Sequence, residues 1–227
     1  MISRSRPLLL GSASPRRSAL LASLGLPFAV LPADIVEDVE VGERPHAYLE
    51  RIASAKLGAV ESRLQRSGLP AGAAQGIAAI LVADTTVVID DSVVGKPADV
   101  AEAFATLNRL VGRTHTVLTR YLIGGGPSQA GSHPRREPLL ARTVQSEVKL
   151  RAATPEELLG YAASGEGLDK AGAYAAQGLG AFLVESVSGS YTNVVGLPVC
   201  ELVSDLQALG LFEGFPASFL PQRGLSK

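Results

Sequence analysis

Several chemical groups are scarce in this sequence, and each scarcity excludes a class of protein. Cys200 is its only cysteine, so neither an internal disulfide nor a zinc site of several cysteines can form. Cys200 lies in the apolar run 197–202, where we expect a buried structural thiol rather than a nucleophile. No apolar run approaches the length of a membrane span, and the stretch after the basic residues 1–6 stops at Gly11, too short for a signal peptide. These absences predict a cytoplasmic protein with no membrane partner.

An excess of charge of either sign is also missing. The chain has 21 basic and 22 acidic side chains, for a formal net charge of -1. A generic nucleic-acid binder needs a strongly basic face, so nucleic acid is not an expected partner. A local basic pocket for one small anion stays compatible with this balance. The charge therefore favours a small-molecule partner.

The chain contains alternating apolar strand patterns and helical stripes. We predict strands over residues 8–10, 28–31, 77–83, 114–123, 141–150 and 181–185, with a hairpin at 87–94. We predict helices from Pro15 with Ser14 as N-cap, over 45–62 and 100–111, from the capping box at Thr154, and over 199–209. Residues 66–76 are expected to be a linker and the Gly/Pro/Ser/Arg-rich residues 124–140 a mobile loop, and the tail 212–227 shows no periodic pattern. Length predicts one domain over 1–227.

The first candidate site is the turn between the first strand and the first helix. Ser12, Arg16 and Arg17 lie at the predicted helix N-terminus, where free N–H groups and a partial positive charge favour a bound phosphate. Their hydroxyl and guanidinium donors would strengthen that preference. A capped helix with both arginines in solvent is an equally good interpretation of these residues alone.

Two carboxylates are candidates for catalysis or for metal binding. Asp84 directly follows the apolar run 77–83, so we predict it at the end of a buried strand, where ligands commonly bind in α/β sheets. It could bind a divalent metal, activate water, or do both, and it could also only cap the strand. Glu37 lies in the acidic cluster 34–38, whose hard oxygen atoms suit Mg²⁺ or Mn²⁺, although such clusters are usually just solvated.

Two lysines are candidate ligands for an anion. Lys56 interrupts a helical apolar stripe that includes Leu49 and Ile52, so its charge needs a partner or a pocket, unless the side chain reaches past the core to solvent. Lys96 lies in a tight turn between Gly95 and Pro97. Neither lysine is strong evidence by itself.

Other motifs fail the tests for common active sites. His46, His115 and His133 are scattered and match neither a serine-hydrolase triad nor a zinc-protease spacing. The glycines at 124–126 lack the Gly-Lys-Ser/Thr ending of a phosphate-binding P-loop.

Taken together, the motifs resemble the Maf family of nucleoside triphosphate pyrophosphatases. The matching stretches occur in family order between about residues 8 and 209, and the ordered set is highly specific. They are LLGSASPRRSALL (9–21), residues 35–37 and 49–56, VADTTVV (82–88), GKP (95–97), LDKAGAYAAQGLG (168–180) and GSYTNVVGLP (189–198).

The resemblance implies a mixed α/β fold with flanking helices and two lobes around a cleft, similar to inosine-triphosphate pyrophosphatases. It assigns Asp84 as proton acceptor and Glu37 as a second carboxylate near a Mg²⁺ or Mn²⁺ ion. It also implies that one set of residues binds the phosphates of the substrate and that a second set determines which nucleotide is preferred. The phosphate-binding set is Ser12, Arg16, Arg17, Lys56 and Lys96, and the set that tracks substrate choice is Arg16, Thr85 and Gln177.

The expected partner is a nucleoside triphosphate, hydrolysed to the monophosphate and pyrophosphate, and a homodimer would suit the family. The three specificity positions match the branch that prefers dTTP and UTP, which also includes members that accept modified pyrimidine triphosphates. Two alternatives stay open at this point. One is the branch that prefers 7-methyl-GTP, and the other is a nucleotide-binding regulator of cell division with slow turnover.

Overall fold

A computed structural model describes residues 1–126 and 137–214. Most of the predicted mobile loop and of the tail lies outside these ranges. The strands are β1 (Leu8–Leu10), β2 (Phe28–Val30), β3 (Ala79–Ile89), β4 (Ser92–Val94), β5 (Thr114–Gly125), β6 (Leu140–Leu150) and β7 (Val184–Gly189). The helices are α1 (Pro15–Ser23), α2 (Pro45–Ser67), α3 (Val100–Leu110), α4 (Pro155–Ala163), α5 (Tyr191–Val195) and α6 (Val199–Ala208), with 3₁₀ turns at Ala171–Ala173 and Leu179–Leu183.

The strands form one seven-stranded mixed sheet in the order β2-β1-β3-β5-β6-β7, with β4 paired to β3. β1 runs parallel to both β2 and β3, and the remaining pairs are antiparallel. The predicted mixed α/β fold with flanking helices is thereby confirmed. None of the helices in the described ranges is long and apolar enough to cross a membrane.

The central strand β3 has a gap along one of its edges. One edge of β3 pairs with β5 continuously from Ala79 to Val88. The opposite edge pairs with β1 only as far as Leu81, and with β4 only from Val87 onward. Within the described ranges, no strand pairs with residues 82–86 on that side. The prediction that Asp84 follows the end of a strand was wrong, because β3 continues through Asp84 to Ile89. Asp84 nevertheless lies beside open space, since the opening is a gap between two neighbours of β3.

Alternation along β3 separates the side chains on the two faces of the sheet. Leu81 and Ala83 pack in one apolar cluster with residues of α1 and α6, whereas Ile80 and Val82 pack in another with residues of α2. Asp84 is in phase with Ile80 and Val82, so it faces α2. Thr85 faces the opposite side, toward α1.

Several predicted boundaries and environments were wrong. The strand predicted over 181–185 is a 3₁₀ turn up to Leu183, and β7 begins at Val184. α2 continues to Ser67, past the predicted end at Ser62. Cys200 is exposed rather than buried, because the inward face of α6 is the one that carries Leu202 and Leu206. Phe212, the first residue of the tail, is buried against the same cluster as these leucines.

Candidate active site

The gap in β3 opens into a cleft with a volume of about 830 Å³. Its walls come from the β1–α1 turn, the segment before α2, β3, the turn after β4, and the segment between α4 and β7. Every site residue predicted from the sequence lines this one cleft: Ser12, Arg16, Arg17, Glu37, Lys56, Asp84, Thr85, Lys96 and Gln177. The tertiary structure therefore brings together residues that are up to 165 positions apart in the chain, from Ser12 to Gln177.

An alternating chain of charges crosses the floor of the cleft. The Lys56 ammonium lies 2.5 Å from Asp84 Oδ1 and 2.7 Å from Glu37 Oε1. The other oxygen of Glu37, Oε2, accepts a hydrogen bond from Lys96 Nζ at 2.9 Å. Lys56 and Asp84 are each 5% exposed. Lys56, the charged residue in the apolar stripe of α2, therefore has its partner inside the protein. Removing either charge of such a buried pair would leave the other uncompensated.

Glu37 is held in place by helix α2. The Tyr48 hydroxyl donates to the backbone carbonyl of Glu37 at 3.1 Å, and Arg51 donates to the carbonyl of Asp38 at 2.9 Å. Burial alone would raise the pKa of Glu37, but the charges and hydrogen bonds of Lys56 and Lys96 outweigh it and hold that pKa at about 2. Glu37 is therefore a carboxylate bound by two lysines, unlike an ordinary solvated acidic loop residue.

Arg17 is buried and faces protein acceptors, so the solvent-exposed alternative was wrong for this residue. Its Nε donates to the carbonyl of Gly196 at 2.8 Å, Nη1 to Ser12 Oγ at 2.9 Å and Nη2 to Thr85 Oγ1 at 3.0 Å. Burial lowers the pKa of Arg17, and the neighbouring Asp84 opposes that effect. Arg17 thus joins the N-terminus of α1 to β3 and to the loop that ends α5.

Arg16, the neighbour of Arg17, reaches the opposite wall of the cleft. Its guanidinium lies 3.6 Å from Asp169 Oδ2, and the other oxygen of Asp169 lies 2.5 Å from Lys170 Nζ. Asp169 and Lys170 are not among the site residues predicted from the sequence, although both lie in the stretch 168–180 and line the cleft. A charged pair within an otherwise small and apolar Gly-rich segment is the signal that could have identified them.

The two remaining specificity candidates differ in their surroundings. The Thr85 hydroxyl contacts the Thr119 hydroxyl at 2.8 Å, across the β3–β5 pair, in addition to Arg17. Gln177 is exposed at the tip of the segment between α4 and β7. Its amide is therefore open to a bound molecule, whereas the hydroxyl of Thr85 is engaged with the protein.

The residues at the floor fit a divalent cation bound together with a phosphorylated ligand. The ammonium of Lys56 occupies a position between one oxygen of Glu37 and one of Asp84, which shows that a positive charge is accommodated there. Carboxylate oxygens are the ligands that Mg²⁺ and Mn²⁺ prefer. Within residues 1–126 and 137–214, no group of three or more His, Cys, Asp or Glu side chains converges. Phosphate and water would have to complete the coordination.

The mixed sheet and the cleft define an α/β protein whose cleft is lined by cationic side chains and a buried carboxylate. Comparison with known proteins specifies its family. A family profile described as Maf-like protein matches residues 7–209, and the chain belongs to this family. The similarity to inosine-triphosphate pyrophosphatases stays a prediction.

Relatives in this family are similar to this chain over most of their length. A dTTP/UTP pyrophosphatase from Myxococcus xanthus is 48% identical over 204 residues, which cover 90% of this chain and 93% of the relative. Proteins of the same name from Geobacter metallireducens and Neisseria meningitidis are each 41% identical, over 89% of this chain and 96% and 94% of their own lengths.

Proposed function

We propose that this protein is a cytoplasmic pyrophosphatase that hydrolyses dTTP and UTP to the monophosphate and pyrophosphate. One observation carries the proposal: a buried carboxylate and several cationic side chains converge on one cleft. The names of the relatives support the choice of thymine and uracil nucleotides. The cleft volume of about 830 Å³ also lies within the range usual for small-molecule sites.

The triphosphate would bind to the cationic side of the cleft. Arg16 is partly exposed and Lys96 is exposed, and each forms an ion pair with a carboxylate that also has a second cationic partner. The side chain of Ser14 forms no capping hydrogen bond with α1, which leaves first-turn N–H groups available to an anion. Arg17 contributes its charge and holds Ser12 in place.

Asp84 is the base in the proposed reaction. It accepts a proton from a water molecule whose oxygen forms a bond to the α-phosphorus. The bond from that phosphorus to the β-bridging oxygen breaks, and pyrophosphate leaves. Lys56 neutralises Asp84 in the free protein, and its movement toward a phosphate group would release Asp84 as the base. Positioned cations supply most of the acceleration in reactions of this type.

Glu37 and Asp84 would hold the Mg²⁺ or Mn²⁺ ion, with phosphate oxygens and water as the other ligands. When bound, such an ion supplies positive charge beside the phosphates.

The decisive experiment combines a substrate panel with isotopically labelled water. Purified protein is assayed for pyrophosphate release from dTTP, UTP, modified pyrimidine triphosphates and 7-methyl-GTP, with Mg²⁺ or Mn²⁺. In ¹⁸O-water, attack at the α-phosphorus places the label in the monophosphate. Release of orthophosphate, or label in pyrophosphate, would contradict the reaction, and a preference for 7-methyl-GTP would contradict the substrate.

A further inference from the structure

The exposed tip that carries Gln177 belongs to a loop of residues 166–180, which we call the Gln177 loop. The loop follows α4 and ends within the 3₁₀ turn before β7. Its backbone takes positive φ angles at three positions, Gly172, Ala173 and Gly178, with values of 76°, 58° and 80°. Such a loop needs contacts outside its own backbone to hold one conformation.

Two side chains fasten the Gln177 loop on both sides of its tip. The hydroxyl of Tyr161, in α4, accepts a hydrogen bond from the Ala175 N–H at 3.0 Å and donates to Glu166 Oε2 at 3.0 Å. Glu166 in turn accepts from the N–H of Leu179 at 2.9 Å and of Gly180 at 2.7 Å. We call Tyr161 and Glu166 the clamp. It binds the chain immediately before and after residues 176–178.

The loop is fitted closely against the clamp. A Cβ atom at Gly178 would lie 2.3 Å from Glu166 Oε1, and one at Gly180 would lie 2.4 Å from the Tyr161 hydroxyl oxygen. Tyr161 is itself fixed, because it is 3% exposed and its ring meets the edge of Phe182 with centroids 5.8 Å apart. Movement of the clamp would therefore be transmitted directly to the tip.

We propose that Tyr161 and Glu166 are positioning residues for base selection, acting through Gln177, although Glu166 itself also lines the cleft. The inference rests on the proposed function, since it assumes that Gln177 faces the base of the nucleotide. A side-chain amide discriminates between bases only when its donor and its acceptor are held within a fraction of an ångström of the required geometry. The clamp provides that constraint on a tip that is otherwise exposed.

The test compares selectivity, given by the ratio of kcat/KM for UTP to that for 7-methyl-GTP. The Tyr161→Phe substitution removes the hydroxyl group that accepts from the Ala175 N–H and donates to Glu166. We expect the ratio to fall by about three- to tenfold, the scale of one net hydrogen bond, through a higher KM for UTP and a nearly unchanged kcat. The matched control is Tyr121→Phe, which removes a buried hydroxyl bonded to Asp205 and should leave the ratio unchanged.

A double-mutant cycle shows whether the clamp acts through Gln177. Since Gln177→Ala removes the amide, adding Tyr161→Phe to it should not lower the ratio further. If Tyr161→Phe does not fold, Glu166→Gln serves as the clamp variant. The amide of the substituted glutamine would place an NH₂ donor opposite a backbone N–H donor, so one hydrogen bond of the clamp would be lost.

The outcomes separate this inference from the function on which it rests. If the wild type did not prefer UTP, the substrate assignment itself would fail. If Gln177→Ala lost selectivity while the clamp variant kept it, or if the losses in the cycle were additive, the positioning role alone would be overturned.

Discussion

The ammonium of Lys56 in α2 lies 2.5 Å from the carboxylate of Asp84 in β3, and both side chains are buried. The same ammonium lies 2.7 Å from Glu37. It therefore occupies the space between the two carboxylates proposed to hold a divalent ion. Two cations cannot share this position without strong repulsion, so Lys56 and the ion should compete in the absence of nucleotide.

This competition predicts that Lys56→Met binds Mn²⁺ more tightly than the wild type when no nucleotide is present. Two unit charges about 4 Å apart interact by about 1 kcal/mol in water and about 4 kcal/mol near a protein surface, and Mn²⁺ carries two charges, so a gain of at least several-fold is expected. Electron paramagnetic resonance of free Mn²⁺ measures it directly. Lys149→Met, which removes a lysine from an exposed pair with Glu185, is the control and should change nothing. Weaker Mn²⁺ binding by Lys56→Met would mean that the carboxylates do not form the metal site.

Asp84→Asn should lower kcat by about a hundredfold or more, the scale of a lost general base. The substituted amide oxygen can still accept from Lys56, and Glu37 still balances its charge, so the protein should fold, with a melting temperature lowered by the loss of one charge of a buried pair. Asp90→Asn makes the same chemical change at an exposed hairpin residue that pairs with Arg113, and its kcat should equal that of the wild type. Near-normal turnover by Asp84→Asn would transfer the role of base to Glu37.

Gln177→Glu should reduce the preference for dTTP and UTP. It replaces a donor-and-acceptor amide with a carboxylate that only accepts, so a pyrimidine carbonyl would face a negative charge in place of an N–H. The loss of that pairing should cost about 1–3 kcal/mol, or about ten- to a hundredfold in kcat/KM. A guanine base, which offers N–H donors, should lose less or gain.

The measurement is the ratio of kcat/KM for UTP to that for 7-methyl-GTP in both proteins. Gln177 is a cleaner probe than Thr85, because Thr85 is bonded to Arg17 beside the proposed base. A ratio that does not change would show that Gln177 makes no contact with the base.

The burial of His115 predicts that the protein loses stability in mild acid. His115 is 3% exposed, its Nε2 meets the Tyr174 hydroxyl at 2.8 Å, and burial lowers its pKa to about 4. Between the ordinary histidine pKa and about 4, the unfolded chain takes up a proton that the folded chain does not. The free energy of unfolding should therefore fall as the pH drops through this window, by about 3 kcal/mol for the full shift from 6.5 to about 4.

The check is chemical denaturation between pH 7 and pH 4. His115→Gln should show a flatter profile than the wild type, whereas His46→Gln, at an exposed position, should reproduce the wild-type slope. Parallel profiles for His115→Gln and the wild type would show that His115 is protonated as readily in the folded state as in the unfolded one.

Local patterns were enough to predict most elements, and the exceptions have identifiable causes. β1, α1 and the capping box of α4 were predicted correctly because their signals lie within a few neighbouring residues. The strand predicted over 181–185 failed since short apolar runs suit a 3₁₀ turn equally well. The continuation of β3 through Asp84 could not be predicted, because pairing with β5 supports a polar residue that the apolar pattern alone would exclude.

The sequence by itself determined the element types, the family motifs and the set of residues with the right chemistry, because these depend on local spacing and on the identity of side chains. Only the tertiary structure decided what those side chains contact. It buried Arg17 against Ser12 and Thr85 while its neighbour Arg16 reached Asp169 across the cleft. It also placed Lys56 between two carboxylates that are 47 positions apart, Glu37 and Asp84. Such contacts follow from strand order and helix packing, which join segments whose spacing in the sequence carries no record of the distance between them in the fold.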